Sequence, residues 1–161
     1  MSSAAPNSLR FSSASLPSSE RLEITYNGAL AVVRPESASK LLPATDAWQR
    51  FRHSLDALGV WDWAADYRAP DILDGHAWMF EVAYDDRKAH VAGVSAYPGI
   101  DGAVVERVDG SGYESLCRSL SLTLMGLTKA RAPDSFFVPG ASDARVPSQS
   151  PVRPDPSEEN R

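Results

Sequence analysis

Ala77-Trp78-Met79-Phe80-Glu81-Val82-Ala83-Tyr84 is the stretch that decides how this 161-residue chain folds. In an extended backbone successive side chains point to opposite sides. Trp78, Phe80, Val82 and Tyr84 therefore share one face, and Met79, Glu81 and Ala83 share the other. Asp85-Asp86-Arg87 supplies a polar turn, and residues 88–95 return as a second strand. One face is apolar and the other mixed, so the hairpin needs a cover on one side only.

Upstream, residues 22–26 and 29–33 read as strands around Asn27-Gly28. That dipeptide predicts a type I′ turn, which needs positive φ at both central residues. Pro35 is expected to end the second strand. A helix is predicted over 47–58, where Trp48, Phe51, Leu55 and Leu58 form one apolar stripe. Asp46 and Gln49 have capping-box spacing, and Gly59 suits the left-handed residue after a helix. A last helix is predicted over 112–127, with Ser111 as cap and Glu114 at the capping-box position. Tyr113, Leu116, Cys117, Leu120, Leu124 and Leu127 line one face of it. Leu122 and Met125 fall off that stripe, about 60° apart at 100° per residue, as a candidate contact with a partner or a second copy. Residues 103–108 suggest one short extra strand.

The order is ββαββα. Such elements call for an α+β fold: a small antiparallel sheet of two hairpins, with both helices packed on one face. The domain is expected over 20–128. Residues 1–19 contain eight serines and two prolines, and six of the twelve prolines lie in 129–161. Both segments read as disordered tails, because so little apolar surface cannot offset the entropy of ordering. Phe136-Phe137-Val138 is the one apolar cluster in the second tail.

Hydrophobic residues make up 43% of the chain, enough for a core, and the net charge is -5. That charge argues against a nucleic-acid surface, which needs clustered Lys and Arg, and against an anionic membrane. Cys117 is the only cysteine, so no intrachain disulfide and no CxxC site is expected. No apolar run of spanning length and no secretory h-region is visible, so the expected compartment is the cytoplasm.

A spaced motif runs from Val60 to Pro98. It reads Val60-Trp61-Asp62-Trp63, then Asp74-Gly75 with Trp78, then Gly93-Val94-Ser95-Ala96-Tyr97-Pro98. It resembles a family of small bacterial proteins of unknown function with a V-W-x-W, D-G-x-x-W and G-x-N-A-Y-P pattern. The resemblance covers about 48–127 and implies an α+β domain; it carries no activity. Ser95 stands where the family prefers Asn, and the 99–112 segment is longer than the family's.

Three chemistries fit these residues. Trp61, Trp63, Tyr67 and Tyr97 can line an aromatic groove for a protein or a small molecule. Two apart in an extended segment, Trp61 and Trp63 point the same way. Asp74-Gly75 reads as the turn that launches the next strand, and Asp74 is counted with the binding surface. Asp71, Asp74, His76 and His90 can form a metal or acid–base cluster, with His76 and His90 on consecutive strands. No HxH or HExxH spacing supports that cluster. His53 lies opposite its helix's apolar stripe and reads as a surface residue, and Cys117 reads as a core thiol. With no catalytic motif, no assigned metal ligand and no cofactor signature, the leading expectation is a non-enzymatic interaction protein of an inhibitor, immunity-type or chaperone-like kind. It would bind a protein partner or form a homodimer. The alternatives are a small metal-dependent hydrolase on the Asp/His cluster and a small-molecule sensor with the aromatic groove.

Overall fold

A computed structural model describes residues 4–15, 21–69, 75–99, 102–105 and 111–126. Nine strands and two helices occur among them. In chain order the strands are β1 (Ser8–Ser15), β2 (Arg21–Tyr26), β3 (Leu30–Arg34), β4 (Ser37–Leu41), β5 (Asp66–Arg68), β6 (His76–Ala83), β7 (Lys88–Val94), β8 (Tyr97–Pro98) and β9 (Val104–Val105). The helices are α1 (Thr45–Leu58) and α2 (Ser111–Ser119).

β6 and β7 form the expected antiparallel hairpin, with Phe80 opposite Val91. Burial alternates residue by residue along β6, so His76, Trp78, Phe80 and Val82 all face the core. The sheet is larger than two hairpins. Seven strands join in the order β4-β3-β2-β1-β6-β7-β5, antiparallel except for the parallel pair β5–β7. β8 and β9 make a separate two-stranded ribbon.

The main correction concerns the N-terminus. Residues 8–15 lie inside the tail expected to be disordered, yet they form β1 at the middle of the sheet. β1 pairs antiparallel with β2 on one side and with β6 on the other. Its serines hid the alternation. Leu9, Phe11 and Ser13 point into the core, while Arg10 and Ser12 point away. Phe11 sits in register between Ile24 and Phe80, with no exposed surface. Full burial of such a side chain is worth about 1.5–3 kcal/mol, and hydrogen-bonded neighbours on both sides satisfy the serine-rich backbone.

Two turns differ from expectation. Tyr26 pairs with Leu30, so residues 27–29 make a three-residue connection rather than a two-residue one. Only Gly28 adopts positive φ, at 81°, so no type I′ turn forms. Pro35 ends β3 directly after Arg34, as expected, but the chain stays in the sheet. Pro35-Glu36 is itself a two-residue turn, with Arg34 opposite Ser37, and it leads into β4. The residues of β4, Ser-Ala-Ser-Lys-Leu, are poor strand formers, which concealed it.

Both helices cover one face of the sheet. Trp48 of α1 packs on Tyr26 with ring centroids 4.6 Å apart, and Tyr113 of α2 packs on Trp78 at 4.9 Å. Trp48, Phe51 and Leu55 from α1 share one core with Tyr113, Leu116, Leu120 and Leu124. Gly59 closes α1 in the left-handed region, its N–H donating to the carbonyls of Leu55 and Asp56. The capping box at the start of α1 is not formed: Ala44 is the N-cap, and Asp46 pairs with Arg50 at 2.6 Å instead.

After Ser119 the second helix widens into a π turn, Leu120–Leu124. Ser121 Oγ donates to the Cys117 carbonyl at 2.9 Å, and Thr123 Oγ1 donates to that of Ser119. Hydroxyls bonded back in this way compete with the backbone ladder and bend helices. Beyond Ser119 the 100° step no longer applies. Among the described residues no helix is long and apolar enough to cross a membrane.

Candidate functional site

The motif residues meet at one end of the core, and local backbone constraints explain how. Gly93 of β7 lies under the Trp78 indole. A Cβ there would sit 2.3 Å from Trp78 Nε1 and 2.7 Å from the Ala96 carbonyl oxygen, so only glycine fits. That closeness lets Trp78 Nε1 donate to the Ala96 carbonyl at 2.9 Å. Ser95 follows at φ 53°, the one described non-glycine residue in the left-handed region. Its N–H donates to the His76 carbonyl at 2.9 Å. Serine enters this region less readily than asparagine or glycine. The reversal turns the chain so that Tyr97 enters the core from β8.

There the Tyr97 hydroxyl meets His76. His76 Nδ1 lies 2.8 Å from Tyr97 Oη, and His76 Nε2 lies 2.6 Å from Ser13 Oγ on β1. A neutral imidazole donates from one nitrogen and accepts at the other, so one of the two hydroxyls donates and the other accepts. Tyr97 stacks on the imidazole at 5.7 Å and Tyr113 meets it edge-on at 5.9 Å. The Tyr113 hydroxyl lies against Cys117 and Ser13. Gly112 permits this approach: a Cβ there would fall 2.3 Å from the Gly99 carbonyl oxygen, so α2 begins in direct contact with the chain after β8.

Burial governs the electrostatics of this array. It lowers the His76 pKa to about 4, so the ring is neutral at neutral pH. It raises Tyr97, Tyr113 and Cys117 above their ordinary ranges, which keeps all three protonated. Cys117 is thus a core thiol with little thiolate character. Ser13 and His76 have the spacing of a nucleophile and its base. Both are buried, however, and tyrosine rings enclose the imidazole. The array is built to tie β1, β6, β8 and α2 together.

The other candidate residues lie elsewhere. A 3₁₀ turn, Val60–Asp62, separates Trp61 from Trp63, so the two indoles diverge instead of pointing the same way. Trp61 is half-buried on the surface. Its Nε1 donates to Asp56 Oδ1 at 2.8 Å, and the Arg52 guanidinium lies 5.0 Å from its ring and 4.3 Å from that of Tyr84. Arg52 also makes a two-pronged bond to Asp86, at 3.2 and 2.8 Å, which clamps α1 to the β6–β7 turn. Trp63 and Tyr67 are core residues, and the Tyr67 hydroxyl donates to the Gly102 carbonyl at 2.8 Å. With Trp63, Tyr67 and Tyr97 all buried, these aromatics line no open groove. Met125 packs half-buried against the core and Leu122 is half-buried within the π turn, so the two do not form the exposed pair expected.

His76 and His90 do not meet. His76 faces the core, whereas His90 pairs across from Glu81 on the opposite face, and its Nδ1 lies 2.6 Å from Glu81 Oε1. Period-2 alternation separates them: 76 falls in phase with Trp78 and Phe80, and 90 out of phase with Val91. Asp71, Asp74, Leu127 and Phe136-Phe137-Val138 lie outside the described residues. Among the described residues no group of three His, Cys, Asp or Glu is placed to hold a metal ion. His53 is exposed, as read.

One surface was not singled out from the sequence. The sheet face opposite the helices carries half-buried Ser12, Ala14, Ala77, Met79, Ala92 and Val94 across its central strands. Polar groups that bond to one another surround this floor: Arg10 and Arg21 pair with Glu23, Arg68 pairs with Asp66, and the His90 ring lies against Glu81. The signal was present as the second phase of each alternating strand. No protein-family model, curated protein or solved structure matches the chain.

Proposed function

We propose that the chain is a protein-interaction domain that docks a folded partner on the bare face of its sheet. One observation carries this reading: small neutral side chains run unbroken across β1, β6 and β7 on the side with no helix among the described residues. Monomeric proteins seldom leave a broad neutral face inside a charged rim unless something binds it. The surrounding ion pairs suit a rim, because charges already paired with each other lose less on partial desolvation. Small side chains on a sheet give a flat floor that accepts a helix or a second sheet without rotamer ordering. The buried Ser13–His76–Tyr97 array supports the same reading from the inside, since it fixes the strands that carry the floor.

Met79 is the largest apolar side chain on this floor, so Met79→Arg is the decisive substitution. Protein captured from a native lysate by the wild-type chain should be released by Met79→Arg, with the far-UV circular dichroism and melting temperature of the two chains matching. An identical set of captured proteins for both would remove the face from consideration, and an empty set for the wild type would remove the interaction reading.

A further inference from the structure

We propose that the chain also forms a twofold dimer by pairing β4 with β4 of a second copy. The edge is distinct from the bare face, and the inference does not depend on it. β4 pairs with β3 on one side, and among the described residues no strand pairs with its outer side. The β3–β4 hairpin has a two-residue connection closed by Arg34 opposite Ser37. In such a hairpin the closing pair exchanges both backbone hydrogen bonds, and bonding then alternates along the ladder. Ser37, Ser39 and Leu41 thus spend their backbone groups on β3. Ala38 and Lys40 direct theirs outward, as a ready template for another strand.

The two edges of the sheet are built differently. β5, at the far edge, is three residues long and carries Asp66 and Arg68, bonded to each other at 2.7 Å. That edge is short and charged, which discourages pairing. β4 is five residues long, pairs without a bulge, and contains no proline and a single charge. Two large apolar residues flank it in the open: Val33, 46% exposed and directly beside Ala38, and Leu42, 82% exposed.

Charge selects a second copy as the occupant. Glu36 and Lys40 are both exposed, and neither makes an ion pair among the described residues. Antiparallel pairing about a twofold axis at Ala38 sets Lys40 opposite Glu36 of the other copy, twice. It also runs Val33 and Ala38 of each copy into one apolar row across the junction. A shift of the axis to Ser39 keeps each Lys40 diagonal to the other copy's Glu36. Only an axis at Lys40 brings lysine directly against lysine. The edge is therefore complementary to itself when the axis lies at Ala38, a register that uses the outward groups of Ala38 and Lys40.

Light scattering of the full chain across a concentration series reads the proposal. The wild type should pass from monomer to dimer within the micromolar range. Lys40→Glu sets like charges across the junction and should weaken the dimer by about tenfold or more. Glu36→Lys combined with Lys40→Glu restores the complement and should bring the dimer back to within about threefold of wild type, a rescue that a purely structural role for either residue would not produce. Ala38→Pro removes an outward N–H without touching the β3 ladder, so it should stay folded and remain monomeric. Met79→Arg should leave the dimer unchanged, which separates this edge from the bare face. A wild type that is monomeric throughout the series, or a dimer unmoved by Lys40→Glu and Ala38→Pro, overturns the proposal.

Discussion

Replacing His76 by glutamine should flatten the acid side of the stability curve. The imidazole is bounded by Ser13 from β1, Tyr97 from β8 and Tyr113 from α2, none of which carries charge at neutral pH. Burial alone drives its pKa down from 6.5 to about 4. In the unfolded chain His76 takes up a proton near pH 6.5; in the folded chain it refuses one until about pH 4. Between those values the unfolded state binds more protons, so stability rises with pH and falls as pH drops. The contribution is fully present above pH 6.5, is lost on the way down to pH 4, and stays constant below that. A gap of this size is worth about 3 kcal/mol in total, at up to about 1.4 kcal/mol per pH unit. Urea unfolding of the wild type and His76→Gln at a series of pH values from neutral to 4.5 measures it. Glutamine lowers stability at every pH by loosening the array, and only the difference in slope matters. Every other titratable group is common to both proteins and cancels. The wild-type curve should converge on the variant's as pH falls. Parallel curves would mean that the ring is not buried neutral between Ser13 and Tyr97.

Three further outcomes follow from the packing. Phe11→Ala empties a fully buried site at the centre of the sheet and should cost about 3–5 kcal/mol in chemical denaturation; a neutral result would mean that residues 8–15 hang free. Gly93→Ala forces a methyl group into the Trp78 indole and the Ala96 carbonyl, and should lower stability by about 2–3 kcal/mol, read from the denaturant midpoint. Ser95→Gly relieves the left-handed backbone at φ 53° and should raise stability by about 0.5–1 kcal/mol, seen as a higher melting temperature.

Legibility from the sequence followed the strength of each local signal. The 76–83 strand and the four-residue apolar stripe of α1 were readable because one period holds along the whole element, and the 88–94 return followed from the polar turn after that strand. β1 was not, since Leu9 and Phe11 are its only large apolar residues and serine composition outweighed them. Of its two partners β2 follows directly in the chain, but β6 is more than sixty residues away, so no local propensity could announce the pairing that places β1 at the centre. β4 failed for a related reason: an edge strand owes its form to its neighbour rather than to its own burial. In the candidate sites the same alternation that placed Trp78 in the core also placed His76 there, and extending it two residues back separates His76 from His90. The array's third member, Ser13, was out of reach until β1 was found. Trp61 and Trp63 were misaligned because a 3₁₀ turn of three residues leaves no periodic trace.

The position of β1 changes what the Val60–Pro98 motif means. Gly93, Ser95, Ala96 and Tyr97 are each explained by a backbone or core constraint: an indole that leaves no room for a Cβ, a left-handed residue, a carbonyl for Trp78, a hydroxyl for His76. His76 then spends its other nitrogen on Ser13, a residue of β1 that lies 63 positions away in sequence. A strand with two large apolar anchors can slip by two residues and still keep its faces correct. A slip in one direction would place Phe11 opposite Trp78 in place of Ser13 and leave the imidazole without its hydroxyl. A buried polar group without its partner costs about 1–3 kcal/mol, comparable to the packing difference between the registers. The Ser13–His76 contact therefore favours the observed register over that slip. Because β1 carries Ser12 and Ala14 on its outer side, that contact also bears on whether the bare face presents its small residues in line with Met79 and Ala92 or out of step with them.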